Sequence, residues 1–266
     1  MENSDISWTD HTFNPWWGCV KVSEACANCY AQTLANRFHG GLWGAGAQRR
    51  KFSEKHWNEP YKWDRRAEKE GVQRRVFCAS MADVFEDRID LNSERERLWE
   101  TIWNTQNLTW MLLTKRPDKV LRLIPARWAE EFPHNVWIGT TAETQERYDE
   151  RIIPLLQIPA PVRFISAEPL LGPLEMTTWD NEVHDQPTFP EWVIVGGESG
   201  PKARTMSLWW LWAIVQECKD NAIPIHIKQL SQADWKHFRD FKTWPTAFQL
   251  RQFPSHRNTN AHEGGA

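Results

Sequence analysis

The feature that most limits the fold is a rhythm that runs from Arg75 to Gln229. Short apolar runs cover 75–80, 108–113, 135–139, 162–165, 192–195 and 223–227. Each is too short for a buried helix and is rich in β-branched or aromatic residues, so each reads as a strand. Helical spacing fills the gaps over 93–104, 144–156 and 207–219, with Ser93 and Glu96 placed as a capping box and Pro117 placed to start another helix. Strands joined through helices run parallel, because the helix carries the chain back to the end it left. An earlier strand between Ile6 and Gly18, closed by the Asn14-Pro15 turn, brings the count to about six or seven.

Nearly every run ends in a reactive polar residue: Asp83, Lys115, Glu143, Glu168, Glu198 and Lys228. The C-terminal strand ends of a parallel barrel share one mouth, and that mouth carries the active site. The expected fold is therefore α/β, a partial or complete TIM-like (β/α) barrel, with an open sheet as the alternative. Lys115, Glu168 and Lys228 are the candidate catalytic groups, with salt bridges between neighbouring strand ends as the other reading of these charges. The length of 266 residues fits a single domain over 1–253 with a polar, disordered tail over 254–266.

Three of the five cysteines, Cys19, Cys26 and Cys29, fall within eleven residues as C-x6-C-x2-C. They sit between the first strand and a helix over 30–38 that stops at Gly40-Gly41. Thiols so close together read as metal ligands rather than halves of disulfides. Zinc needs a fourth ligand, for which His11 is the nearby candidate. A [4Fe-4S] cluster held by three thiolates keeps one iron open for a further ligand. Cys78 and Cys218 lie in apolar patterns and read as small buried residues. An odd cysteine count, a polar N-terminus and no run of about 18 apolar residues lead us to expect a cytoplasmic protein with no membrane span.

The net charge of −3 excludes a generally basic nucleic-acid coat, yet the charge is unevenly spread. Residues 49–75 carry ten Lys or Arg against five Asp or Glu, with Trp57, Tyr61 and Trp63 among them. The segment over 40–75 reads as an insertion. Its Arg49, Arg50, Lys51 and Trp57 are candidates for nucleic-acid binding, and a solvated helical face is the other reading. The eighteen tryptophans read chiefly as core.

The cysteine loop after strand one, a Gly-Gly-Glu turn and the barrel pattern together resemble the radical S-adenosylmethionine superfamily. Asn14-Pro15, Gly18-Cys19, Cys26-x-x-Cys29-Tyr30, Ser166-Ala167-Glu168-Pro169-Leu170 and Gly196-Gly197-Glu198-Ser199-Gly200 resemble, more closely, the phage-associated three-cysteine-motif proteins. The spacing departs from the commonest C-x3-C-x2-C. Gly-Gly-Glu also follows about the sixth strand rather than the second. The resemblance implies that Cys19, Cys26 and Cys29 hold a [4Fe-4S] cluster whose open iron binds S-adenosylmethionine, and that an electron donor such as flavodoxin or ferredoxin drives radical chemistry. It implies cofactor contacts at Tyr30, Ser80, Gly196, Gly197, Glu198 and Ser199. The substrate expected from it and from the basic segment is a nucleobase, nucleotide or nucleic acid. A non-catalytic zinc or iron–sulfur protein that binds nucleic acid is the alternative.

Overall fold

The computed structural model describes residues 1–177, 188–200, 202–232 and 237–255. In chain order it forms β1 (His11–Phe13), β2 (Trp16–Trp17), α1 (Tyr30–Phe38), β3 (Arg50–Lys51), α2 (Glu54–Trp57), α3 (Glu59–Glu70), β4 (Arg74–Cys78), α4 (Asn92–Trp103), β5 (Leu108–Thr114), α5 (Val120–Leu123), α6 (Ala126–Glu130), β6 (Val136–Thr141), α7 (Gln145–Leu156), β7 (Val162–Ala167), β8 (Trp192–Gly196), α8 (Leu208–Asp220) and β9 (Ile225–Gln229). Seven strands make one sheet in the order β1-β4-β5-β6-β7-β8-β9, every neighbouring pair parallel. The spatial order follows the chain, so the sheet has no point where the winding reverses, as a doubly wound sheet requires. It curls instead into a half-barrel.

Period-two burial separates two cores. Val76, Trp110, Ile138, Ile165 and Val195 face outward and pack with Leu98, Ile152 and Ile214 of the helices. Phe77, Met111, Trp137, Phe164, Trp192 and Ile194 face inward, together with Trp8 from the N-terminal segment. On the inner face, a Cβ at Gly139 would lie 2.3 Å from the Phe164 ring. Glycine there lets the ring lie flat on the strand.

The unclosed side between β1 and β9 is bridged by the chain's own ends. Ser7 Oγ lies 2.8 Å from His226 Nε2. Arg251 forms an antiparallel bridge with His226. Phe253 packs 5.4 Å from Trp192 and lies 3.8 Å beneath the Arg75 guanidinium.

The structure changes three sequence readings. The first strand is only His11–Phe13, followed by a short strand that pairs antiparallel with β3. The basic 40–75 segment is not an appended insertion, because its α3 is the helix that joins β1 to β4 and buries Trp63 and Ala67. Ser93 lies inside α4, which begins at Asn92 after a short turn over Ile89–Leu91, so no capping box forms. Pro117 does start a helical stretch, a 3-10 turn that runs directly into the short α5. The expected tail lies, from His256 on, outside the described residues.

Candidate functional site

The cysteine loop leaves β2 through Gly18, whose φ of +114° is open to glycine and strained for other residues. A Cβ there would also meet the Leu42 carbonyl oxygen at 2.4 Å. Cys26 ends a 3-10 turn, and Cys29 opens α1, whose small Ala31 and Ala35 pack it down.

Groups from four strand ends tie this loop down. Arg116, after β5, donates to the Val20 carbonyl at 3.0 Å. Glu143, after β6, accepts from the Ala25 amide at 3.2 Å. Glu198, after β8, accepts from the Asn28 side chain at 2.9 Å. Tyr30 donates to the Ser80 carbonyl, after β4, at 2.8 Å. Arg204 adds a bond to the Glu24 carbonyl at 3.1 Å.

The loop roofs a cavity of about 190 Å³. Lining it together are Cys19, Cys26, Cys29, Tyr30, Ser80, Lys115, Glu168, Gly197, Glu198, Ser199 and Lys228, with Ile6, Trp8 and Phe77 supplying apolar wall. Gly196 ends β8 beside them without lining the cavity. Gly197 must be glycine for another reason: a Cβ would lie 2.8 Å from the Leu230 oxygen and the Ser231 Cα, where the turn presses on the end of β9.

The charges at the mouth are largely committed to one another. Asp83 pairs with Arg116 at 2.6 Å and also accepts from Thr114 at 2.8 Å. Lys228 pairs with Glu168. Lys115 makes no ion pair among the described residues and donates to Thr141 at 3.1 Å. Both Glu198 oxygens are taken, Oε1 by Arg204 at 2.5 Å and Oε2 by Asn28 and by the Arg204 amide and Nε, each at 2.9 Å. Burial works to raise the Glu198 carboxyl, but the hydrogen bonds from Arg204 and Asn28 outweigh it and hold the group below its ordinary range. Burial, helped by Asp83, pushes the Cys19 thiol up to about 12, and Arg116 opposes them.

All three thiols are free and half-buried. Among the described residues no three Cys, His, Asp or Glu side chains converge on a single metal-ion position. A multi-iron cluster spreads its thiolates further apart than one ion does, and the donor set is thiol only, which suits iron–sulfur. Ser23 Oγ, between Cys19 and Cys26, is buried with no hydrogen-bond partner among the described residues. These residues fit a cluster. They do not fit zinc with His11, because His11 stands at the start of β1, away from the mouth, with its ring stacked 4.5 Å from Trp63.

The nucleic-acid candidates separate. Arg49 turns inward, where it pairs with Glu86 at 2.6 Å and donates to the carbonyls of Leu42, Gly44 and Ala47, folding the glycine-rich stretch around itself. Trp57 is 1% exposed and packs edge-on to Phe13. Neither is offered to a nucleic acid. Lys51 is exposed and pairs with Glu94 at 3.2 Å, and the Arg50 guanidinium lies over Trp17 at 4.8 Å. Sequence reasoning missed Asn28 and Arg204. Asn28 lay in view between two cysteines, but nothing in the order of residues pairs Arg204 with a glutamate six positions earlier. Cys78 and Cys218 are buried, and burial raises both thiols, Cys218 to about 12.

The family model described as "Protein of unknown function (DUF5131)" matches residues 3–263, and the chain belongs to that family. No curated protein matches. Among solved structures, a cysteine-to-serine mutant of spore photoproduct lyase aligns at 14% identity with a TM-score of 0.46, over 73% of this chain and 57% of that one. A tyrosine-to-phenylalanine mutant of the same enzyme aligns at 12% identity with a TM-score of 0.46, over 87% and 60%. A cysteine-to-alanine mutant with dinucleoside spore photoproduct aligns at 12% identity with a TM-score of 0.44, over 87% and 60%. The chain spans less than two thirds of the length of each.

Proposed function

We propose that this member of the DUF5131 family is a radical S-adenosylmethionine enzyme that acts on a nucleobase, nucleotide or nucleic acid. The observation that carries the reading is the strapped loop: three free thiols held by four strand ends over a cavity with both apolar wall and charged mouth. Cys19, Cys26 and Cys29 would hold the cluster. When bound, the cluster and S-adenosylmethionine supply a 5′-deoxyadenosyl radical that abstracts hydrogen from the substrate.

The chain's own residues do the rest. The straps fix the loop before any ligand arrives, so the thiols need little reorganisation. Arg116 stands against Cys19, where its positive charge partly offsets the burial that holds the thiol protonated. Tyr30, Ser80, Ser199 and the Gly196-Gly197 backbone border the space beside the cysteines and form the cofactor side in this reading. Glu198 acts there by holding Asn28 and Arg204 rather than by touching the cofactor. Lys115 and the Glu168–Lys228 pair face the substrate, Lys115 with a charge that no carboxylate among the described residues neutralises. Trp8 and Phe77, packed on each other, form an apolar wall that keeps water from the inner side of the cavity.

Anaerobic reconstitution with iron and sulfide tests the ligand set. The native chain should hold about four irons and four sulfides, and Cys26→Ala should lose most of them. One zinc per chain without sulfide would contradict the reading.

A further inference from the structure

We infer that Arg49 is a positioning residue for Cys19: its guanidinium folds the stretch over 40–48 into a buttress that fixes the first cysteine of the loop. The inference concerns the chain's own geometry, and rests on the cluster reading only for what that geometry serves.

The three thiols are not equally anchored by their local structure. Cys26 ends a 3-10 turn and Cys29 opens α1, so helical backbone fixes both. Cys19 lies outside any helix or strand, and its place has to be set by contacts from elsewhere in the chain. Arg116 supplies one of these on Val20. The rest come largely from residues that follow α1. The Gly44 amide donates to the Cys19 carbonyl at 3.0 Å. Gly18, immediately before Cys19, has the Leu42 carbonyl oxygen and the Arg49 Cδ pressed against it, 2.4 and 2.8 Å from where a Cβ would stand. Trp43 lines the cavity, and Leu42 and Trp43 pack with Cys29 against Ala31, Ala35 and Met81.

That stretch has little of its own to hold it. It contains Gly40, Gly41, Gly44 and Gly46, it forms no helix or strand, and no residue over 40–48 is buried. A chain so rich in glycine loses much backbone entropy on ordering and has few apolar contacts to set against the loss. Arg49 supplies what is missing. Its Nη1 donates to the Leu42 and Ala47 carbonyls, each at 2.9 Å, and its Nη2 to the Gly44 carbonyl at 3.1 Å. Nη2 and Nε also grip the two Glu86 oxygens, at 2.6 and 3.1 Å. Every N–H of the guanidinium is thereby used, and the side chain is fully buried.

Arg88 holds the same stretch from outside, at the Ala45 and Ala47 carbonyls, each at 2.9 Å. It reaches neither Leu42 nor Gly44, the two residues that touch Gly18 and Cys19. Arg49 alone of the two links that contact to the barrel. Its anchor is firm, because the Glu86 carbonyl accepts from Arg95 at 2.6 Å and the neighbouring Val84 and Phe85 are buried in the core. Asp83, in the same segment, pairs with the Arg116 that donates to Val20. One short segment after β4 thus directs two arginines at the residues around Cys19, one straight to the loop and one through the buttress.

The test compares the native chain with Arg49→Lys and with a double variant, Arg49→Met with Glu86→Leu. Lysine keeps the charge opposite Glu86 but lacks the planar fork that serves three carbonyls. The double variant removes both charges, so no carboxylate is left buried alone, and it should melt as the native chain does. In the metal-free proteins, amide hydrogen exchange should quicken over 16–29 and 40–48 in both variants and stay native in β5 and β6. Once loaded, both variants should lose iron to a chelator about tenfold faster than the native chain, and the electron paramagnetic resonance signal of the reduced protein should shift. Native exchange over 16–29 together with native iron retention would overturn the inference. Lower melting with exchange raised equally in the loop, β5 and β6 would overturn it in favour of general support of the fold. Faster exchange over 16–29 in a chain that takes up no iron would sink the cluster reading and leave the positioning of Cys19 standing.

Discussion

The mouth of the half-barrel is built from paired charges and the opposite end from packed rings. At the mouth, Asp83, Glu143, Glu198, Arg116 and Arg204 reach from strand ends to hold a loop that has little apolar surface of its own. Deeper in, Trp8, Trp137 and Trp192 fill the inner face, and Phe253 seals the side where β1 and β9 do not meet. The difference follows from what each end must do. Burial of rings is worth most where nothing has to enter, whereas hydrogen bonds fix a polar loop in one geometry and leave room for a ligand. Stability should therefore reside in the rings and cofactor loading in the charges.

Truncating a ring tests the first half. Trp192→Ala removes a fully buried indole that touches Trp8, Trp137 and Phe164. It should cost about 3–5 kcal/mol in denaturant unfolding. A loss below about 1 kcal/mol would show that the inner layer is not the stabilising end.

The turn at Gly197 lies between the two regimes. Gly197→Ala should cost about 1–3 kcal/mol, because the new methyl meets backbone rather than a movable side chain. It should also lower iron loading, since the same turn carries Glu198. A variant with native melting and native iron content would show that the turn can shift freely.

At the mouth itself the effects should invert. Glu198→Gln keeps the shape but weakens the grip on Arg204, which is 35% exposed and can turn to water. Melting should change little, while iron retained against a chelator falls several-fold. Equal loss of stability and of iron would erase the contrast between the ends.

A separate effect concerns acid. Burial, with Arg251, Arg75 and Lys228 nearby, depresses His226 to about 3. A histidine held neutral in the fold binds its proton more readily when unfolded, so its contribution to stability is complete above the unfolded value of about 6.5. That contribution is lost progressively as pH falls from there towards 3. His226→Asn should therefore lose less stability than the native chain between neutral pH and pH 4 (roughly). Parallel melting curves for the two proteins would argue against the assignment.

How much of this could be read from the residue order differs between the same two regions. The strands and the ring of mouth residues were legible, because an apolar run that stops at a polar residue marks both a strand and its end. The cysteine loop was legible for the same local reason. The role of Glu198 was not, since it depends on Asn28 and on Arg204, which meet it only in the folded chain. Arg49 misled for a related reason: a basic run looks the same whether it faces water or a buried carboxylate, and its Glu86 lies 37 positions away. In the residue order α3 looks like part of an insertion, because charge hides its narrow buried stripe of Pro60, Trp63 and Ala67.

The measurement that bears most directly on the central claim is the release of 5′-deoxyadenosine from S-adenosylmethionine by the reconstituted, reduced protein under anaerobic conditions. We predict product from the native chain and none from Cys19→Ala, Cys26→Ala or Cys29→Ala. A native chain with its full iron and sulfide that forms no deoxyadenosine, with or without added nucleotide, would contradict the account.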